Sequence, residues 1–450
     1  MRSPPAALAD PLTAPRSAYG LSAVLAACTV ASIALGFAQQ WLLFTAVGPG
    51  SATDAYVAAM SVPQFGVLVV SGTLVNALVP LLAAAEPSER RQTAWTCAQG
   101  VAVGFGAFAL LFGATARWWL PLVAPGLDEG VRALGARVAR LHLAASVATA
   151  LTGVLWARAR AESRFVWAEA SGVLGSLVGV AVVAMGVRRW GVLAGAWGAA
   201  AKAMVSALLL LPVLGTYHAP RFRARPIAEL VRRVRPLLGA AAYAKTDVLL
   251  DRFLASLAPA GTLSLYSLAQ MLYGSGHLVL SRAVSVPAVT ALAQHAREGR
   301  WGAFRDVTRR RAGVMLAVTL LALAVLIVAG RPLLDLAFGH GRFAASQVSE
   351  LRTLLLLLGG LWVAGAVGQV VANSFYAMGD TRTPARIAVV GFTAAILLKL
   401  AGFQLAGVAG VAIAASVYYV GNLVWLSLRL GAITPRATAA SELNSVSIGR

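Results

Sequence analysis

The sequence predicts an all-α polytopic membrane protein, about twelve transmembrane helices in two six-helix bundles, and three observations carry that reading. Hydrophobic residues make up 59% of the 450-residue chain and charged residues only 12%, about half the charged share of a soluble globular protein. The apolar residues are gathered into long runs such as 314–329, VMLAVTLLALAVLIVA, whose one polar side chain, Thr319, can bond its own helix backbone. Most runs reach the roughly 20 residues that a helix needs to cross a bilayer, and they lack the short alternating strands of a barrel. The 44 glycines, with abundant alanine, suit helices that approach closely where lipid removes the hydrophobic drive.

The elements follow in order. Residues 1–19 are Pro/Ala-rich, without the apolar core and cleavage site of a signal peptide, and read as a cytoplasmic tail holding Arg2 and Arg16. Segment one covers 20–46 and segment two 54–84, followed by Arg90 and Arg91. Segment three, 94–116, leads to Arg117, Arg132, Arg137 and Arg140 on the opposite side, around the start of segment four at 138–157. Arg158, Arg160 and Arg164 precede segment five, 165–186; Arg188 and Arg189 separate it from segment six, 191–216. A basic cytoplasmic linker at 218–233 carries Arg221, Arg223, Arg225, Arg232 and Arg233, and divides an N-terminal bundle, 20–217, from a C-terminal bundle, 234–431. Segments seven and eight cover 234–258 and 261–294. Six arginines from Arg297 to Arg311 then open segment nine, 312–338. Arg331, Arg342 and Arg352 surround the opposite-side loop before segment ten, 350–377. Arg382 and Arg386 open segment eleven, 384–404, and segment twelve, 407–431, ends in a polar tail, 432–450, expected to be irregular from about Thr434. One side gathers 24 arginines and the other 9. The positive-inside rule therefore puts both termini in the cytoplasm of a multi-pass protein of the inner (plasma) membrane.

The halves echo one another. Val79-Pro80 and Val286-Pro287 stand near the cytoplasmic ends of segments two and eight, 207 residues apart, each followed by an apolar turn and then charge. With six helices per half, the two copies share one orientation, a parallel repeat whose substrate site is expected between the halves.

The net charge of +21 reflects loop arginines and scarce acids, so no nucleic-acid partner is expected. Cys28 and Cys97 lie in apolar segments and read as small core residues, with no disulfide framework or metal site. The five histidines are scattered, and no motif supports covalent chemistry or nucleotide hydrolysis. The chain reads as no enzyme, with no cofactor.

Charge inside the apolar segments is the informative signal. All three lysines, Lys202, Lys245 and Lys399, lie there, as do Arg252 and Arg282. A charge at mid-bilayer costs about 2.5–3.5 kcal/mol on insertion scales, so each is expected to face a cavity or a partner, with Arg282 close enough to the cytoplasmic end to snorkel. In segment seven, Lys245 and Arg252 share one helix face, and Asp247 and Asp251 a roughly opposite one, at about 100° per residue. The acids are candidates for ion coupling or for pairing with neighbouring helices. Asp54 opens segment two, where a carboxylate suits a helix N-terminus.

Several stretches are similar to the MurJ/MviN-type lipid II flippases of the multidrug/oligosaccharidyl-lipid/polysaccharide exporter superfamily. They are Gly48-Pro-Gly-Ser-Ala-Thr-Asp54 through Pro63, Gly72-Thr-Leu-Val-Asn76 through Pro80, Asp251-Arg252-Phe-Leu-Ala-Ser, Leu265-Tyr-Ser-Leu-Ala, and Asn373-Ser-Phe-Tyr376-Ala-Met-Gly-Asp380-Thr-Arg382-Thr-Pro384. The resemblance implies two six-helix bundles around a cavity, alternating access, drive by an ion gradient or the membrane potential, and a polyprenyl-(pyro)phosphate-linked saccharide turned from inner to outer leaflet. It departs from the family at four arginine positions, here Ile33, Gln39, Val67 and Gln270, while Asp54 matches the family's acid. Lys245, Gln39, Lys202, Lys399, Arg252 and Asp54 are therefore the expected substrate-binding residues, with Asp247 and Asp251 as ion-coupling candidates. Two other readings stay open: a cation-coupled multidrug antiporter that relays ions through Asp247 and Asp251, and a non-transporting membrane scaffold.

Overall fold

The computed structural model describes residues 16–448, and every element among them is helical. Helix α1 runs Arg16–Val47, beginning within the stretch expected as a tail; residues 1–15 of that tail lie outside the described residues. Segment two is broken into α2 (Ser51–Ala59), α3 (Ser61–Gly66), a π-helical turn at Val67–Ser71 and α4 (Gly72–Ala84). Then come α5 (Pro87–Ala114), a short α6 (Ala116–Val123), α7 (Glu129–Ala161), α8 (Phe165–Trp190) and α9 (Val192–Leu210). α10 (Arg225–Ser256) starts inside the basic linker: Arg and Leu are good helix formers, and Glu229 pairs with Arg233 one turn on. Segment eight is α11 (Thr262–Leu280), a second π-helical turn at Ser281–Ser285 and α12 (Val286–Arg297). α13 (Trp301–Phe338), α14 (Ala345–Leu357), α15 (Gly359–Ala377) and α16 (Arg382–Ile448) complete the chain. The polar stretch expected to be irregular continues α16 as far as Ile448.

Among the described residues eight helices are long and apolar enough to cross a membrane, ten if the bent pairs α11/α12 (41°) and α14/α15 (42°) each count as one span. The twelve expected segments are not all reached, for two physical reasons. α10 carries Lys245, Asp247, Asp251 and Arg252 in a stretch that is otherwise apolar. Segments eleven and twelve form one continuous element that bends at Ala406 (φ −145°, ψ 22°) and Gly407 (φ 57°, ψ −139°).

The helices fall into two compact units. One comprises the described residues up to Leu42, with Gly66–Gly113 and Arg140–Gly239; the other comprises Leu43–Phe65, Ala114–Ala139 and the described residues from Ala240 on. The first has a core of Leu78, Leu82, Ala94, Val154, Leu155 and Leu210, all fully buried. In the second, Leu292, Phe304 and Phe375 pack with Val371 and Ile387, beside Met315, Ala366 and Val370. Large apolar side chains also point outward, Val328 at 85% and Leu405 at 88% exposure. Apolar side chains on the outside as well as in the core are the pattern of helices that meet lipid.

Candidate functional site

The charged residues of the apolar segments fall into separate groups. In the first unit, Lys202 on α9 faces α1 and α8 where glycines thin the wall: a Cβ on Gly36 of α1 would lie 4.0 Å from Lys202 Nζ, and one on Gly179 of α8 3.2 Å from Lys202 Cβ. Gln39, on α1 one turn from Gly36, is buried against α8 and α9; its Nε2 points to the Gly195 carbonyl at 3.5 Å, and its Oε1 lies 3.0 Å from where a Gly179 Cβ would be. Lys202 is half-buried, and no ion pair involves it among the described residues. An ammonium in that position has donors to offer and, among the described residues, no anion to satisfy them.

In the second unit, α10 presents two faces. Asp247 and Asp251, one turn apart, point to the first part of α16, where Lys399 Nζ donates to Asp247 Oδ1 at 2.5 Å and to Asp251 Oδ1 at 2.7 Å. Lys399 has no exposed surface. α11 completes the cluster: Gln270 Nε2 donates to Asp251 Oδ2 at 2.7 Å and the Tyr266 hydroxyl to the same oxygen at 3.3 Å. On the other face, the buried Arg252 donates to Ser61 Oγ at 3.1 Å and Gln64 Oε1 at 2.7 Å, neutral acceptors on α3. Lys245 is half-buried and, like Lys202, in no ion pair among the described residues.

Asp54 caps a helix far from it in sequence. Its carboxylate oxygens accept the Gly261 N–H at 2.6 Å and the Ser264 N–H at 2.7 Å, two of the amides that the start of α11 leaves without intrahelical partners. The start of its own helix is served by Thr53, whose Oγ1 accepts from Gly50 N at 2.8 Å. The Asn373–Pro384 motif is likewise built for a helix start: Asp380 Oδ1 accepts the N–H groups of Arg382 and Thr383 at 3.0 and 2.9 Å where α16 begins.

Residues 43–445 match the family model described as "Lipid II flippase MurJ". The chain belongs to the MurJ family of lipid II flippases. A curated relative, "Probable lipid II flippase MurJ" of Synechocystis sp., is 24% identical over 406 residues, covering 83% of this chain and 74% of its own length. Among solved structures, "Lipid II flippase MurJ, inward closed conformation" aligns with a TM-score of 0.78 at 16% identity, over 93% of this chain and 90% of that one. An inward-facing multidrug resistance MATE transporter of the MOP superfamily aligns at 0.73 and 15%, over 89% and 95%. At such identities the structures speak to the fold alone, and the fold is the all-helical polytopic one expected.

Of the residues named from the sequence, the structure brings together Lys399, Asp247 and Asp251 in one cluster and Gln39 and Lys202 in another. Asp54 and Arg252 are held in hydrogen bonds to the backbone of α11 and to side chains of α3, respectively, and Lys245 stands apart. The amide and hydroxyl partners Gln270, Tyr266, Ser61 and Gln64 were not named as site residues. A glutamine in an apolar helix is itself a signal, because a buried amide needs a partner, but its partner lies on another helix.

Proposed function

We propose that the chain is a flippase that moves a polyprenyl-(pyro)phosphate-linked saccharide, such as a lipid II-like cell-wall precursor, from the inner to the outer leaflet by alternating access. The observation that carries this reading is membership of the lipid II flippase family over residues 43–445. The unpaired ammonium groups support it. Lys202 beside Gln39, and Lys245 within its own unit, offer donors to an anionic headgroup that no carboxylate among the described residues occupies. Lysine binds phosphate as a point charge, without the bidentate fork of arginine. Lys399 is committed to Asp247 and Asp251 and belongs to coupling rather than to the headgroup. Asp54 caps the start of α11 and Arg252 ties α10 to α3. The protein sits in the plasma membrane with both termini cytoplasmic, driven by a coupling ion or the membrane potential.

The test is a proteoliposome assay in which a fluorescent polyprenyl-pyrophosphate-linked sugar becomes accessible to an impermeant quencher. A charge-assisted hydrogen bond is worth about 1.5–3 kcal/mol, so Lys202→Gln and Lys245→Gln are each expected to slow translocation by about 10- to 100-fold, with Lys202→Arg retaining most of it. Transport of cationic amphiphiles without any lipid-linked sugar would replace this reading by the antiporter one. Wild-type rates in both glutamine variants would remove the lysines from the headgroup site.

A further inference from the structure

The first arm of α16 opens with Arg386 and the second arm carries Arg429 near Ala432. The arms meet tightly at Gly391, where a Cβ would lie 2.1 Å from Asn422 Oδ1. Ile387 packs with Leu426 and Leu430 beside that seam. Between the ends lies a cavity of about 410 Å³, lined by Thr383, Arg386, Ile387, Val390, Trp425 and Arg429. The lining is ordered along both arms. Thr383, Arg386 and Arg429 stand toward the ends, while Val390 lies one turn further in than Arg386 and Trp425 one turn further in than Arg429.

Both arginines are exposed, and neither is in an ion pair among the described residues. Asp380 is close enough to feel Arg386, but its carboxylate is committed to the start of α16 through the Arg382 and Thr383 amides. The Trp425 indole N–H has no acceptor among the described residues either. Two guanidinium forks and one indole donor therefore border a single cavity, and no described group of the chain receives them.

We propose that this cavity binds one anionic phospholipid of the leaflet on the arginine-rich side, with the lipid phosphate held between Arg386 and Arg429. The fit is by layers. Guanidinium forks match phosphate oxygens bidentately. An indole, apolar with one polar end, suits the level of the glycerol esters. Ile387 and Val390 receive the start of an acyl chain. Basic pockets between transmembrane helices on the cytoplasmic side recur as sites for phosphate headgroups. A soluble phosphate would use the arginines and leave the apolar inner end empty. The bound lipid clasps the two ends of α16 together. The site stands on this geometry and needs nothing from the flippase reading.

Native mass spectrometry tests it, on the full chain released from phosphatidylcholine nanodiscs doped with phosphatidylglycerol of the same acyl chains. One phosphatidylglycerol is expected to stay bound with about 25-fold preference over phosphatidylcholine, each arginine contributing about fivefold. The double variant Arg386→Gln, Arg429→Gln is expected to lose that preference, and Arg386→Lys, Arg429→Lys to keep part of it. The control Arg309→Gln, Arg310→Gln removes the same charge from exposed positions outside the cavity and is expected to keep all of it. A preference unchanged in the first variant overturns the proposal, and so does an equal loss in the control, which would mean diffuse attraction. Displacement of the lipid by inorganic phosphate at equal concentration, or by a polyprenyl-pyrophosphate-linked sugar, overturns the phospholipid assignment. Binding seen only after residues 433–450 are removed overturns it too, with the chain's own end as the occupant. Thermal unfolding separates binding from folding. The glutamine variant is expected to match wild type in phosphatidylcholine and to lack the rise in midpoint that phosphatidylglycerol gives wild type.

Discussion

An ammonium at mid-bilayer costs about 2.5–3.5 kcal/mol, and the chain's lysines meet that cost differently. Lys399 is surrounded by carboxylate oxygens with no surface left open, whereas Lys202 and Lys245 keep part of their surface and no counter-ion among the described residues. The sequence places all three in apolar helices but cannot separate them, because the partners of Lys399 lie 152 and 148 residues away. Asp54 is a similar case: a capping role is legible from its place at a helix start, but the helix it caps begins 207 residues on. Removing its carboxylate leaves the Gly261 and Ser264 amides unsatisfied, so Asp54→Ala is expected to cost about 1–3 kcal/mol and Asp54→Asn less, read as the midpoint of thermal unfolding by tryptophan fluorescence. An unshifted midpoint in the alanine variant would mean that the cap contributes nothing. Asp380 makes the same kind of cap in an exposed loop, and its hydrogen bonds with Thr383 hold its carboxyl below the usual carboxylate value. A depressed value means that the ionised cap stabilises the fold above the ordinary carboxylate range and that this is lost as pH falls through the depressed one. Asp380→Ala, worth about 0.5–1 kcal/mol at an exposed cap, should therefore differ from wild type at neutral pH and converge with it in strong acid. A difference that persists unchanged in acid would point to packing instead.

At the scale of the element, what is local in the sequence is legible and what depends on close approach is not. The boundary expected between segments eleven and twelve falls where the chain bends, at Ala406–Gly407. The reason the two arms can fold back is visible only in three dimensions: a Cβ on Gly410 would lie 1.9 Å from the Gly402 carbonyl oxygen, and one on Gly402 2.6 Å from that of Gly410. The arms cross backbone to backbone, which only glycine permits. Gly410→Val must push them apart, and Lys399, one turn before Gly402, moves with its arm. The expected result is a drop of several degrees in the unfolding midpoint, while Gly431→Val, with nothing within 4 Å of its Cβ, leaves it in place. Equal behaviour of the two variants would show that the crossing contributes nothing to stability. Segments two and eight each contain a π-helical turn ahead of their Val-Pro pair. Such turns recur at functional sites, and no spacing rule in the sequence announces them. α10 is less apolar than the other long helices because its charges bond Lys399 and α3.

For the whole molecule, the apolar exterior follows from composition and the family from motifs spread along the chain, but the direction proposed for the protein in the membrane rests on arginine alone. The argument is energetic. Each loop arginine near an anionic cytoplasmic leaflet gains about 1 kcal/mol, and the imbalance of 24 to 9, summed over the loops, is what favours cytoplasmic termini. Two exposed positions on opposite predicted sides make the orientation measurable: Ser163, in the turn between α7 and α8, and Ser346, in the first turn of α14. With Cys28 and Cys97 replaced by alanine, Ser346→Cys is expected to react with an impermeant maleimide on intact cells, and Ser163→Cys only after the membrane is opened. The reverse pattern would turn the protein over, and with it the assignment of inner and outer leaflets to the proposed transport. Labelling of both from outside would break the alternation of the segments between residues 163 and 346. In that event α10, the helix with the most charge between those two points, would be the first whose crossing of the bilayer had to be abandoned.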